Sequence, residues 1–420
     1  MRTVDCVIIG GGSAAMSCAM SAAKFGVKEI LIIERNPDLG GILNQCIHNG
    51  FGLQIFKKEC TGPEYAELLK DLMKKYPIEV KLNTTVMEVT EDKCLIYMNE
   101  TEGIVKIQAK AIVLASGCLE RNRGMISIPG SRCNNVMSAG TAQRYLNIDG
   151  YMVGKRVFIL GSGDIGLIMA RRMTLEGAKV IGVAELMPYS NGLSRNIVQC
   201  LEDYDIPLYL STIVTNIIGS PRLEKIELSK VDENLKPIKG SEWTEEVDCL
   251  LLSVGLLPEI TLLDKINVEK DPKTRSVIVN ECNEMSIPGF FACGNALQVH
   301  DLVDFVSLEG QNCGKQVARF LHDEIVQSDS FDVVNGNNVS YVVPQKIRLE
   351  NIDSDCKFSL RVRKPMKNCK LVIKTEDKVL KEVKKRVMLP AEMETINLEK
   401  SMLSEVKNTL IFEVEEANDK

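Results

Sequence analysis

Aromatic residues make up only 5% of the 420 residues, and there are just three histidines. So few rings exclude a base-stacking platform for nucleic acid. A dominant charge of one sign is also missing: 51 basic against 57 acidic side chains leave a net charge of −6. That balance excludes the basic surface that a nucleic acid or an anionic membrane requires of its partner. Long hydrophobic runs are absent, and the most apolar stretch, residues 249–257, is far too short to span a bilayer. The chain opens directly into a strand-like run, residues 3–9, and not into a basic segment followed by an apolar core and a cleavage site. A cytoplasmic protein with no membrane insertion is expected. Fourteen cysteines are present, yet none forms a Cys-x-x-Cys. The usual zinc, iron–sulfur and dithiol spacings are therefore lacking, and no metal site is expected. Most of these thiols read as buried and reduced.

What is present is an internal repeat. An apolar run at residues 4–9 leads into Gly10-Gly11-Gly12-Ser13-Ala14-Ala15, a helix of small residues, Gly26, and a second apolar run ending at Glu34. Residues 156–160 lead into Gly161-Ser162-Gly163-Asp164-Ile165-Gly166, a helix, Gly177, and a run ending at Glu185, with the same offsets from first glycine to helix-ending glycine and to acid. One glycine triplet would be weak evidence. Two in register, each between a strand and a helix and each followed by an acid at the end of the next strand, form the context of a dinucleotide fingerprint. The first glycine permits the tight turn and the second lets the backbone approach a pyrophosphate. The third position must be small so that helix and strand pack closely, which Ala15 satisfies as Gly166 does. The helix N-terminus then offers free N–H groups and partial positive charge to the phosphates, and the acid accepts from a ribose hydroxyl.

These motifs resemble the pyridine nucleotide–disulfide oxidoreductase superfamily over residues 1 to about 325. Ser116-Gly117, after the strand at residues 111–115, resembles that family's second FAD turn. Gly255-Leu256-Leu257-Pro258 resembles its equivalent in the nicotinamide domain. The run from Ile287 to Gly294-Asn295 resembles the closing FAD motif, with Asn295 where the family has an acid. The resemblance implies that Gly10, Gly12, Ala15, Glu34, Gly117, Gly294 and Asn295 serve FAD, with Ser13, Ala14, Arg35, Gly41 and Ser116 in the same turns. Gly161, Gly163, Gly166 and Glu185, with Asp164, Ile165 and Gly255, would serve NAD(H). A carboxylate at Glu185 repels a 2′-phosphate, which favours NAD over NADP. The segments 40–52 and 299–304 resemble FAD/NAD oxidoreductases found alongside glycerol-3-phosphate dehydrogenase-type flavoproteins, which implies a partner flavoprotein dehydrogenase subunit.

The expected fold class is α/β: two Rossmann-like three-layer dinucleotide-binding domains and a small C-terminal β-sandwich-like domain. The FAD domain is discontinuous, 1–118 and 270–328; the NAD domain is 119–269; the β-rich domain is 335–420. In that last stretch apolar residues alternate with period two, as in Phe358, Leu360 and Val362. It serves either as a docking module for a partner or as a lid over apolar surface.

The expected function is an FAD-dependent oxidoreductase exchanging hydride with NAD(H), working as an electron-transfer subunit. His48 and His300 fall beside flavin motifs; each either moves a proton near neutral pH or only packs. Cys46 is the candidate redox thiol, with inert packing as its alternative. Two other functions stay open: a single-cysteine disulfide or peroxide reductase using Cys46, and a non-catalytic FAD-binding assembly subunit.

Overall fold

A computed structural model describes residues 1–416; the last four residues of the expected β-rich domain lie outside the described residues. The chain divides into two compact units, Met1–Cys118 with Pro258–Lys420, and Leu119–Leu257.

The first unit is built on a sheet whose centre is apolar on both faces, as strands covered by helices require. Strand β1 (Arg2–Ile9) pairs in parallel with β2 (Ile30–Ile33) on one side and with the long β3 (Gly103–Leu114) on the other. Ile78–Lys81 extends the sheet beyond β2. The first half of β3 pairs antiparallel with Cys94–Asn99, and its last residues pair in parallel with Phe290–Ala292. The closing strand thus returns to the sheet after the second unit has been inserted.

Helix α1 (Ser13–Lys24) is made of small residues because another backbone lies against it. On the closing helix, Val303–Leu321, a Cβ at Gly310 would sit 2.3 Å from Ala14 O, and one at Gly314 would sit 2.2 Å from Cys18 O. Helix α2 (Gly62–Met73) starts at a reciprocal Thr61–Glu64 capping box with proline in its first turn. Tyr65 ties it to the closing helix through a 2.8 Å bond to Ser307 Oγ.

Residues 258–269, which their position in the sequence assigns to the NAD domain, run instead with the first unit. Leu263, Ile266 and Val268 enter its core. Asn267 donates its N–H to Glu91 at 3.0 Å, and Lys265 pairs with Glu88 at 3.2 Å. The polar spacing of this stretch hid its attachment, because only scattered apolar residues within it are buried.

The C-terminal strands belong to the same unit but enclose their own core. Five strands run in the order Lys346–Ile347, Phe331–Asn335, Thr409–Glu416, Met366–Lys374, Val379–Met388, and three more in the order Val339–Val343, Asp355–Val362, Glu394–Glu399. All neighbours are antiparallel except Phe331–Asn335 with Thr409–Glu416. Phe358 and Phe412, one from each sheet, meet with ring centroids 5.1 Å apart in the shared core.

In the second unit β4 (Arg156–Leu160) lies between β5 (Lys179–Ala184) and β6 (Cys249–Leu252), all parallel. Val136–Ser138 and Leu208–Tyr209 form the edges. Helix α3 (Asp164–Leu175) follows β4 as α1 follows β1. A separate antiparallel sheet, Thr212–Ile218, Lys225–Lys230 and Trp243–Glu246, completes the unit. Among the described residues no helix is long and apolar enough to cross a membrane.

Candidate functional site: two glycine turns with pinned acids

The two turns repeat one geometry. Gly10 has φ +108°, and a Cβ there would lie 2.4 Å from Ala115 O; Gly161 has φ +95°, and a Cβ there would lie 2.1 Å from Ser253 O. Each turn is closed by the strand beside it, Gly10 N–H donating to Ile33 O at 2.9 Å and Gly161 N–H to Ala184 O at 2.7 Å. Only a residue without a side chain fits where two strand ends come this close. The next glycines, Gly12 and Gly163, are the N-caps of α1 and α3 and have no side chain with which to cap. A Cβ at Gly12 meets nothing within 4 Å, so the approach to the first N–H groups of α1 is open.

The third position of the second copy packs tightly against the neighbouring strand end. Ser253 stands where the first copy has Ala115, and its Oγ accepts the Gly166 N–H at 3.0 Å. A Cβ at position 166 would come within 2.7 Å of the Ser253 Cβ. A side chain at position 166 would therefore force the turn or Ser253 to shift.

Both acids are buried and pinned in matching ways. Glu34 accepts the Gly11 N–H at 2.7 Å and the Asn36 N–H at 2.7 Å. Glu185 accepts the Ser162 N–H at 3.0 Å, the Ser162 hydroxyl at 2.6 Å and the Met187 N–H at 2.9 Å. A carboxylate offers about four lone-pair directions, so each keeps acceptor capacity for a further hydroxyl. Asp164 accepts from Leu193 N–H at 2.8 Å and from Asn196 Nδ2 at 2.6 Å, which closes the 191–196 loop over the start of α3. Ser13 is buried, Ile165 half-buried and Arg35 exposed.

Other predicted residues gather around the first turn. Gly41, at φ +56°, packs on Gly12, whose Cα would be 3.4 Å from an added Cβ. Ser116 donates to Glu259 O at 2.6 Å, and Glu259 N–H returns to Gly117 O at 3.0 Å. A Cβ on Gly117 meets nothing within 4 Å. Gly294 sits 2.7 Å (as an added Cβ) from Ala14 Cβ, which brings the closing motif against the start of α1. Gly255, in the second unit, accepts the Arg121 N–H at 3.0 Å.

The histidines separate. The His300 side chain is 4% exposed; its Nε2 lies 3.1 Å from Glu309 Oε2, the backbone N–H donates to Asn295 Oδ1 at 3.1 Å, and Nδ1 is buried with no partner. An unpaired buried ring nitrogen is costly, and a bound group would relieve it. His48 is half-buried, its Nδ1 2.9 Å from Asn49 O and its ring 4.9 Å from that of Phe51. Cys46 is half-buried, but burial of its sulfur pushes the thiol up to about 12. It is therefore a thiol, not a thiolate, at neutral pH.

Sequence reasoning missed several groups. Glu309 is the hub of the closing motif, accepting from Gly294 N–H at 2.6 Å, from Gln298 Nε2 at 2.7 Å and from His300. Asp304, in the first turn of the closing helix and 2% exposed, accepts the N–H groups of Gly52 and Ile55 at 3.0 and 2.9 Å and so holds the 49–56 loop. Cys18, Cys293 and Cys313 place their sulfurs within 4.8 Å of one another, all fully buried. They come from three elements distant in sequence, so no spacing signals them. Among the described residues no fourth ligand joins them, and apolar side chains enclose them.

A family model described as pyridine nucleotide-disulphide oxidoreductase matches residues 4–310. The chain belongs to this family. It is 25% identical over 300 residues to a subunit of alkyl hydroperoxide reductase of Pseudomonas aeruginosa, a match covering 70% of this chain and 54% of that protein. It is 28% identical over 285 residues to hydrogen cyanide synthase subunit HcnB of Pseudomonas protegens, covering 63% and 59%. To the glutamate synthase [NADPH] small chain of Escherichia coli it is 25% identical over 341 residues, covering 75% and 68%. The chain thus spans little more than half the length of the first of these relatives. Among solved structures, thioredoxin reductase of T. acidophilum superposes with a TM-score of 0.62 at 22% identity, covering 77% of this chain and 99% of that one. Bacillithiol disulfide reductase of Bacillus cereus superposes with 0.61 at 16% identity, covering 77% and 100%. At these identities the likeness is one of fold. The family match ends ahead of the C-terminal strands.

Proposed function

We propose that this member of the family binds FAD in the first unit and NAD(H) in the second, exchanges hydride between them, and works as the electron-transfer subunit of a larger dehydrogenase. The observation that carries the reading is the duplicated turn: two glycines at positive φ against a neighbouring strand, each with a buried glutamate bonded to the same two backbone positions. FAD, when bound, supplies hydride chemistry on the nicotinamide side and release of electrons singly or in pairs on the other.

The residues fit these groups. Gly10, Gly12, Ser13, Ala14 and Ala15 offer α1's N-terminal amides to a pyrophosphate, and Gly41, Ser116 and Gly117 frame the open space beside them. Glu34 accepts from a ribose, with Arg35 at the exposed rim. Gly294 and Asn295 close the site, and the orphaned His300 Nδ1 gains a partner there. Gly161, Gly163, Asp164, Ile165, Gly166 and Gly255 serve the nicotinamide nucleotide in the same way. Glu185, a buried carboxyl group at the ribose position, disfavours a 2′-phosphate. Anaerobic NADH should therefore bleach the flavin at least about tenfold faster than NADPH, a difference of about 1.4 kcal/mol. Equal or faster bleaching by NADPH would overturn the cofactor preference.

The partner reading is supported by relatives named as a reductase subunit, a synthase subunit and a small chain. The family's disulfide chemistry needs a second sulfur near the first and a reactive thiolate, and Cys46 offers a thiol held protonated. Cys46→Ser is expected to leave NADH-driven flavin reduction within about twofold of the parent, since a Cys-to-Ser change at an inert site is nearly isosteric. Loss of turnover in that variant, with FAD retained, would return the single-cysteine reductase to first place.

A further inference from the structure

His300 is held by its neighbours in sequence, and those neighbours are held from the C-terminal domain. Arg361, on the strand Asp355–Val362, is 14% exposed in its side chain. Its Nη2 donates to Val299 O at 3.0 Å and to Asp301 Oδ1. Its Nη1 donates to Pro390 O at 2.9 Å and its Nε to the Tyr341 hydroxyl at 3.1 Å. The other Asp301 oxygen accepts the Met393 N–H at 2.6 Å. One guanidinium therefore anchors the residue before His300 and the residue after it. Between those anchors His300 reaches Asn295 through its N–H and Glu309 through its ring, and Glu309 in turn holds the Gly294 N–H.

We propose that Arg361 is a positioning residue for the redox site: it sets the ring orientation of His300, so that the C-terminal domain shapes the flavin site and is more than a cover or a docking module. This rests on the reading that FAD occupies the Gly294–Asn295 motif. The physical basis is that a planar five-donor fork, buried and bonded on three sides, fixes geometry where a flexible ammonium does not. A partly buried segment bonded on both flanks of one residue leaves that residue's backbone little freedom to rotate, and the ring then has one position from which Nε2 reaches Glu309. The 299–301 segment has no regular structure of its own to do this, so without the clamp the His300 ring would exchange between orientations.

The chain has only three histidines, so the ring nitrogens of each can be followed separately in long-range proton–nitrogen spectra of the full, FAD-free chain. In the parent, His300 is expected in one tautomer with Nε2–H donated to Glu309. In Arg361→Ala and Asp301→Asn its two nitrogen shifts should move toward their average, with Arg361→Lys between these and the parent, while His48 and His322 stay unchanged. The FAD-loaded Arg361→Lys chain should then show a displaced flavin absorption envelope in proportion to the His300 change. His300 signals that match the parent in both Arg361→Lys and Asp301→Asn would overturn the clamp, whether or not Arg361→Ala folds. Histidine signals that move while the flavin spectrum stays fixed would overturn its link to the redox site. Failure of the parent chain to bind FAD at all would instead sink the cofactor reading, and the histidine spectra would still decide whether Arg361 positions His300.

Discussion

Gly10→Ala should give a folded but colourless protein, whereas Gly161→Ala should give a yellow one that NADH no longer reduces. Both substitutions put a methyl carbon within 2.4 Å of a backbone carbonyl oxygen, Ala115 O in one case and Ser253 O in the other, at φ values near +100°. Neither oxygen can withdraw, because each belongs to a residue whose own N–H is tied to a neighbouring strand: Ala115 N–H to Ile9 O at 2.9 Å and Ser253 N–H to Leu160 O at 2.7 Å. The turn itself must shift, and with it the helix amides proposed to face a pyrophosphate. Loss of at least about 2.7 kcal/mol of binding is expected, which is roughly 100-fold. FAD content, measured as flavin absorbance per chain, should collapse for Gly10→Ala. For Gly161→Ala it should hold near the parent value, while the rate of anaerobic reduction by NADH falls about 100-fold. Gly103→Ala is the control, since its φ of +67° is also left-handed but an added Cβ meets nothing, leaving only a modest backbone cost of roughly 1 kcal/mol. Full flavin content in Gly10→Ala would contradict the site assignment, as would normal NADH reduction in Gly161→Ala.

Arg348→Met should be the most destabilising single change in the C-terminal domain. Arg348 is 6% exposed in its side chain and faces two carboxylates that are still more buried, Glu281 at 3.1 Å and Glu284 at 3.0 Å. Its guanidinium is the cationic partner of both buried acids, and its removal leaves neither with one. The expected loss is about 3–5 kcal/mol. The acids' other bonds do not replace it: Glu281 also accepts from the Arg348 N–H at 2.8 Å and Asn351 Nδ2 at 3.0 Å, and Glu284 accepts the Gly289 N–H at 3.0 Å. Because this chain has two units, a single midpoint for the whole would mislead. Hydrogen-exchange protection of the strands Phe331–Asn335 and Thr409–Glu416 is the better measure. The triple variant Arg348→Met with Glu281→Gln and Glu284→Gln should recover most of the loss, since neutral amides keep the hydrogen bonds without the charge. Unchanged protection in Arg348→Met alone would show that the triad carries no net stability.

Much of the site was legible in the order of residues, and the reason is local. A glycine at positive φ, a helix starting two residues later, and an acid at the next strand's end are requirements met within one βαβ unit, so their spacing survives in the string of letters. The alternation at Phe358, Leu360 and Val362 likewise announces a half-covered strand wherever that strand ends up, and all three are buried. The difference between Ala15 and Gly166 was legible only as tolerance. That Gly166 donates to the hydroxyl of Ser253, some ninety positions away, becomes visible only once β6 lies beside β4.

The sequence by itself determined the two glycine turns, the glutamates pinned beside them and the β-rich character of the C-terminal region, because each is encoded by backbone needs over short spans. Tertiary structure alone decided that residues 258–269 join the first unit, that the half-buried Cys46 stays a thiol, that three distant cysteines share one pocket of core, and that Glu309 and Arg361 govern His300. These depend on which side chains meet across the fold, and a contact between remote segments leaves no period or spacing in the chain from which it could be read.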